Sequence, residues 1–280
     1  MLHEVVSVDV VRHFCHIAIR RLGVGMDPKV EALVAGRVAK RLKVLQLPLD
    51  EYLSRLQGDQ NCGEVVDFLE LIRPQPAPFF ARPGEHARLH AQVGRWLATG
   101  RRRLRLWSAG CGSGEEPYGM ALTVLQAVEA ARLDSANVDW KVLASDLSQC
   151  SLERGKKGVF DERQVSGIPE PVAARFFTET SDGVAIRSEV KEHVVFRRLN
   201  MAQAPFPMTG PLDAIFCHEG LQPLLPRVRR RVIHAAKALL ANDGLFCTGY
   251  DGAALAAMEN AEEDLWQEVA RDLSRRQGSC

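Results

Sequence analysis

Three glycines at alternate positions, Gly110, Gly112 and Gly114, separate the apolar run 104–109 from a segment that opens Glu115-Glu116-Pro117-Tyr118. Such an order reads as a strand, a tight turn and a helix. Glycine allows the turn to bend sharply and carries no Cβ to obstruct an approaching ligand. The same spacing occurs in phosphate loops and in structural turns, so the flanking residues decide. No Gly-Lys-Ser/Thr follows, which excludes a nucleotide P-loop. Two carboxylates, Glu115 and Glu116, stand at the helix N-terminus where a dinucleotide's pyrophosphate would sit, and they would repel it. A ligand with positive charge suits them better, although a solvated helix turn also accounts for Glu115.

Asp146 ends a second apolar run, residues 140–145. In doubly wound sheets an acidic residue at the tip of the second strand accepts hydrogen bonds from ribose hydroxyls. Capping a helix that begins at Leu147-Ser148-Gln149 is its other reading. A sulfonium, an α-amino group and a ribose occur together in S-adenosylmethionine, the ligand these positions fit best.

The elements that must position these residues fall into two parts. Residues 1–75 read as an all-helical domain: Val10, Phe14 and Ile17 recur at i, i+4 and i+7, Asp27-Pro28 opens a segment with Val30, Val34 and Val38 on one stripe, and two more helices cover 49–56 and 64–72. The proline-rich stretch 73–78 ends this part. Residues 76–280 alternate short apolar runs with longer helical ones, as βαβ units of a largely parallel α/β sheet do. Strands are expected at 104–108, 140–145, 212–217 and 245–249. An insert at 175–198 holds Val184-Ala185-Ile186 and His193-Val194-Val195-Phe196 around the turn Ser181-Asp182-Gly183, which predicts a small antiparallel sub-sheet. Residues 253–274 read as a C-terminal helix with Met258, Leu265, Trp266 and Val269 as its apolar positions.

Composition excludes several classes. The 280 residues carry 36 basic and 35 acidic side chains, a formal net charge of +1, so no whole-molecule field favours nucleic acid or a membrane surface. Seven scattered cysteines never form a CxxC pair, which argues against a disulfide framework or a zinc site. No apolar run approaches the roughly 18 residues a membrane span needs, and the first residues lack a signal-peptide pattern. A cytoplasmic protein without integral membrane segments is expected.

Several ordered motifs resemble the CheR-type chemoreceptor glutamate O-methyltransferases over roughly residues 14–250. The most specific is Trp-Ser-Ala-x-x-x-x-Gly-Glu-Glu-Pro-Tyr, present from Trp107 to Tyr118; the others are Phe79-Phe80, Ala144-Ser145-Asp146-Leu147, Arg175-Phe176-Phe177, Val194-x-Phe196 leading to Asn200-Met201, and Asp213-Ala214-Ile215-Phe216-Cys217. The resemblance implies a Rossmann-like S-adenosylmethionine-dependent methyltransferase domain with a small antiparallel β-subdomain, preceded by a helical domain. It implies cofactor contacts along Ala109, Gly110 and Gly112, with Glu115 facing the methionyl or sulfonium part, Asp146 the ribose and Asn200-Met201 the adenine, and with Cys217 and His218 also at the site. A loop cap is the alternative for Asn200. Receptor docking would fall on Arg37, Lys40 and Arg41 of the helical domain, where a solvated basic face is the alternative. The β-subdomain grips a receptor tether in some members.

The chain departs from the family at several points. The family's Asn-x-Thr-x-Phe-Phe-Arg reads Gln75-Pro76-Ala77-Pro78-Phe79-Phe80-Ala81, and Arg82 stands one position late, a rotation of about 100° at a helix start. Arg82 is the candidate catalytic residue. After Cys217 the family's Arg-Asn-Val-x-Ile-Tyr-Phe reads His218-Glu219-Gly220-Leu221-Gln222-Pro223-Leu224. Methyl transfer to receptor glutamates is the leading expectation, and a catalytically impaired protein that binds cofactor or partner is the alternative.

Overall fold

The structure is a computed structural model that describes residues 40–58 and 77–250, with positions 16, 20, 22–24, 38, 63, 65 and 66. The expected helices around Val10 and Val30, most of 64–72, Arg37 and the helix at 253–274 lie outside the described residues. Helix α1, Leu49–Gly58, is the clearest described element of the N-terminal part. Tyr52 and Leu56, one turn apart, are its fully buried positions.

Five strands form a fully parallel sheet: β1 Arg103–Ala109, β2 Asp139–Asp146, β6 Val194–Arg198, β7 Leu212–Phe216 and β8 Leu240–Cys247, in the order β6-β2-β1-β7-β8. Every residue of β7 is buried, and β1 is buried from Trp107 to Ala109, because helices cover both faces of the sheet. On one face lie α2, Pro83–Ala98, and α3, Glu115–Ala130, whose Leu89, Val93, Trp96, Met120 and Val124 pack with Leu106 and Val142. On the other lies α8, Pro226–Lys237, which buries Val228, Val232 and Ile233 against Trp107, Ile215 and Phe206. Connections run from β1 outward to β2 and β6, then return to β7 on the other side of β1. That reversal leaves a crevice at the carboxyl ends of β1 and β7, where ligands of doubly wound sheets bind.

A second sheet is antiparallel and small: β3 Val159–Phe160, β4 Phe177–Thr180 and β5 Gly183–Ile186, in the order β3-β5-β4. Gly183 has φ +132°, and a Cβ there would stand 2.5 Å from the Phe160 carbonyl oxygen, so the hairpin closes on glycine. Further described helices include α4 Gln149–Lys157, α5 Glu162–Val165, α6 Glu170–Phe176 and α7 Ser188–Lys191.

Two strand expectations are corrected. His193–Phe196 does not belong to the small sheet: Val194–Arg198 pairs in parallel with β2 at the edge of the large one. Phe196 drives this placement, since its ring sits against α4 at Gly155, where a Cβ would approach its Cε1 to 2.4 Å, and beside the Tyr118 ring. The third small-sheet strand comes instead from Val159–Phe160, upstream of 175–198. Strand β8 also begins at Leu240 rather than 245, with a register irregularity between Leu212 and Ala214 that absorbs the polar Asn242-Asp243-Gly244.

Asp213 holds the opposite end of the sheet. Its carboxylate accepts the Arg105 N–H at 2.7 Å and pairs with Arg101 at 2.6 Å, while Arg101 also pairs with Asp243 at 2.8 Å.

Candidate functional site

The turn after β1 is held by hydrogen bonds from its own backbone. Gly110 and Cys111 donate N–H to the Ser145 carbonyl at 2.8 and 2.9 Å, and Gly112 donates to Asp146 Oδ2 at 3.0 Å. Asp146 Oδ1 accepts the Ser148 N–H at 2.9 Å, so the buried carboxylate ties the glycine turn to the start of α4. Gly110, Gly112 and Gly114 have φ of +80°, +54° and +109°, values that L side chains seldom adopt. Gly110 is also pressed against the turn that follows β7: a Cβ on it would lie 2.4 Å from Gly220 Cα, and one on Gly220 would lie 2.5 Å from Met201 Cε.

Below this contact the crevice opens into a pocket between the start of α2, the start of α3 and the end of β7, enclosing about 460 Å³ of space that includes its open mouth. Gly110, Glu115, His218 and Arg82 line it. Glu115 is only 5% exposed. Its carboxylate accepts hydrogen bonds from the Ser113 hydroxyl at 2.9 and 3.1 Å and from the Gln164 amide, both neutral. Burial, with the Glu219 carboxylate nearby, pushes its pKa above the ordinary value. A buried carboxylate served by neutral donors alone is a ready partner for a cationic ligand group.

His218 replaces that situation with an ion-pair clamp. Its Nδ1 donates to Glu116, whose other oxygen accepts the Ser108 hydroxyl at 2.6 Å, and its Nε2 faces Glu85 in an ion pair that is not aligned as a hydrogen bond. Burial alone would strip the imidazole of its proton, yet the two carboxylates win and raise its pKa to about 9. Glu85 is correspondingly lowered against the opposing effect of its burial, with Arg82 contributing. His86, on the same wall, goes the other way: burial brings it down to about 4, and its neutral ring shares a 3.0 Å hydrogen bond with Thr123.

A family model described as CheR methyltransferase, SAM binding domain matches residues 77–267. The chain belongs to the CheR methyltransferase family. Chemotaxis protein methyltransferase 2 of Pseudomonas aeruginosa is 32% identical over 236 residues, which cover 82% of this chain and 81% of that protein. The chemotaxis protein methyltransferases of Salmonella typhimurium and Escherichia coli are each 29% identical over 246 and 244 residues, covering 85% of this chain and 82% of theirs.

S-adenosylmethionine is the cofactor of this family domain, and the buried Glu115 carboxylate fits its positive charge. Of the positions expected to touch it, the structure gathers Gly110, Glu115 and His218 in one pocket with Arg82. Asp146 and Asn200 do not line that pocket. Asn200 Oδ1 accepts the Ala202 N–H at 3.0 Å, a local turn bond, and Met201 covers the Gly110–Gly220 contact. Ala109, the last residue of β1, and Cys217, the residue after β7, are buried; burial raises the Cys217 thiol well above its ordinary pKa. Lys40 is exposed and Arg41 half-buried, while their stripe partner Arg37 lies outside the described residues.

The departures from the CheR pattern acquire definite places. Arg82 reaches the wall at Gly249, where a Cβ would stand 3.1 Å from its Nε. Glu219 Oε1 accepts the Ala77 N–H at 3.1 Å and fastens the 77–80 segment over the pocket. Glu85, His86 and Gln164 escaped the sequence reading. For Gln164 a cue exists, an Asp-x-x-Gln capping box, but it announces a helix start and not a contact with Glu115.

No described helix is long and apolar enough to cross a membrane, and no group of three or more potential metal ligands occurs among the described residues.

Proposed function

We propose that this chain transfers the methyl group of S-adenosylmethionine to glutamate side chains of a chemoreceptor-like protein in chemotaxis-type signalling, in the cytoplasm. The carrying observation is the division of charge within one pocket: Glu115 buried among neutral donors on one side, Arg82 with its guanidinium on the other. Relatives named chemotaxis protein methyltransferases support the setting.

S-adenosylmethionine supplies an electrophilic methyl carried by a sulfonium. An acceptor carboxylate, with an ordinary pKa near 4.3, is ionised at neutral pH and needs no general base. The chain's work is therefore to bind and align. Glu115 holds the cationic part of the cofactor, Asp146 keeps the glycine turn in place and faces the ribose, and Asn200-Met201 border the adenine. Arg82 orients the acceptor carboxylate. The imidazolium of His218 is matched by Glu85 and Glu116 and stabilises the pocket walls. Receptor docking uses the basic stripe Arg37, Lys40 and Arg41.

The deciding experiment follows labelled methyl from the cofactor into receptor fragments. Base-labile incorporation into glutamate positions is expected, and Arg82→Ala should lower kcat. Cofactor binding without any transfer would overturn the reading.

A further inference from the structure

The small antiparallel sheet and the pocket are joined through one side chain, Gln164. It occupies the third position of α5, directly after Asp161 at the end of β3. Within this capping box Asp161 N–H donates to Gln164 Oε1 at 2.8 Å, and Gln164 N–H donates to Asp161 Oδ1 at 2.9 Å. The acceptor end of the side-chain amide is thereby fixed, and its NH₂ end has one direction left, toward Glu115 Oε1. The Gln164 carbonyl in turn accepts the Phe79 N–H at 2.9 Å. The Phe79 ring packs edge-on against Phe160 of β3 and Phe177 of β4, with centroids 4.9 and 5.5 Å apart.

We infer that Gln164 is a positioning residue that orients the Glu115 carboxylate for the cofactor and couples it to the small sheet. This rests on the proposed role of Glu115. Ser113 and the Glu115 backbone N–H both serve the carboxylate from its own turn at the start of α3. The Gln164 amide is the donor that reaches it from a separate element, and a carboxylate held from two elements presents its remaining lone pairs in one direction.

The test is calorimetric titration of S-adenosylmethionine, with S-adenosylhomocysteine as the sulfonium-free comparison, into the full chain and its variants, with KM and kcat measured alongside. Gln164→Ala should weaken binding roughly tenfold, the loss of one hydrogen bond to a charged group, and raise KM for the cofactor while kcat at saturation stays within about twofold. Gln164→Met keeps the side-chain length without a donor and serves if the alanine variant does not fold. Gln164→Glu places a second carboxylate against Glu115, and the pair shares a proton in acid and loses it as pH rises, so its affinity should depend on pH more steeply than the wild type's, a signature that simple loosening of the fold does not produce. In a Glu115→Gln background, Gln164→Ala should cost less than about twofold. Wild-type affinity in Gln164→Ala, or additive losses in the double variant, would overturn the inference while a deficit in Glu115→Gln kept the role of Glu115. An unchanged affinity in Glu115→Gln would remove that role and the inference with it.

Discussion

His218 offers the sharpest energetic test. Its pKa is raised from the ordinary 6.5 to about 9, and the residue is only 3% exposed. A group whose folded-state pKa lies above its unfolded one stabilises the fold fully below the unfolded value and loses that effect as pH climbs through the folded value. The window therefore runs from about 6.5 to about 9. At roughly 1.4 kcal/mol per pH unit the contribution is about 3 kcal/mol, present in acid and gone in alkali. Glu85 does not distort the comparison, because its lowered pKa adds stability that is already constant above its ordinary value of 4.5. The perturbation is His218→Gln, which removes the charge and leaves Glu85 and Glu116 facing each other. Urea unfolding of wild type and variant, followed across this window at fixed ionic strength, gives a stability difference at each pH. That difference should be largest at the acid end of the window and shrink by about 3 kcal/mol toward the alkaline end, because the native advantage is lost there. His218→Arg keeps a fixed charge, so its stability should not follow the wild-type decline across the window. A wild-type minus His218→Gln difference that stays constant across the window would refute the reasoning.

Asp146→Ala removes the acceptor of both the Gly112 and Ser148 N–H groups, and S-adenosylhomocysteine affinity measured by calorimetry should drop at least about tenfold. Gly110→Ala forces a Cβ to within 2.4 Å of Gly220 Cα; a loss of about 2 kcal/mol or more is expected in chemical unfolding, with strain at positive φ contributing. Arg101→Ala strands the buried Asp213 carboxylate at the far end of the sheet and should cost about 2 kcal/mol of stability while leaving cofactor affinity unchanged.

The large sheet was legible where both faces are covered, because burial leaves a short apolar stretch in each inner strand, Leu106-Trp107 in β1, Val142-Leu143-Ala144 in β2 and Ala214-Ile215-Phe216 in β7. The same property hid which sheet 193–196 would join: an apolar run names no partner, and Phe196 finds its place only once Gly155 and Tyr118 are nearby. The start of β8 was illegible because Asn242-Asp243-Gly244 reads as a turn, whereas a register irregularity lets the chain pass through it. In the pocket, Glu115 was found from its turn. Its companions were not: Glu85 meets His218, and Gln164 meets Glu115, across distances in sequence that no local pattern spans. Long-range charge matching leaves no periodicity to read.

The contact between Gly110 and Gly220 limits how this sequence can drift. A substitution in a packed core is often relieved by trimming its neighbour, but here the neighbour is already glycine and nothing is left to trim. Met201 closes the remaining side with its methyl group. A side chain gained at either glycine must therefore be accommodated by moving backbone, which shifts the glycine turn itself. Repair at this pair runs through the geometry of the two loops, so descendants of this chain either keep both glycines or rebuild the mouth of the site around their loss.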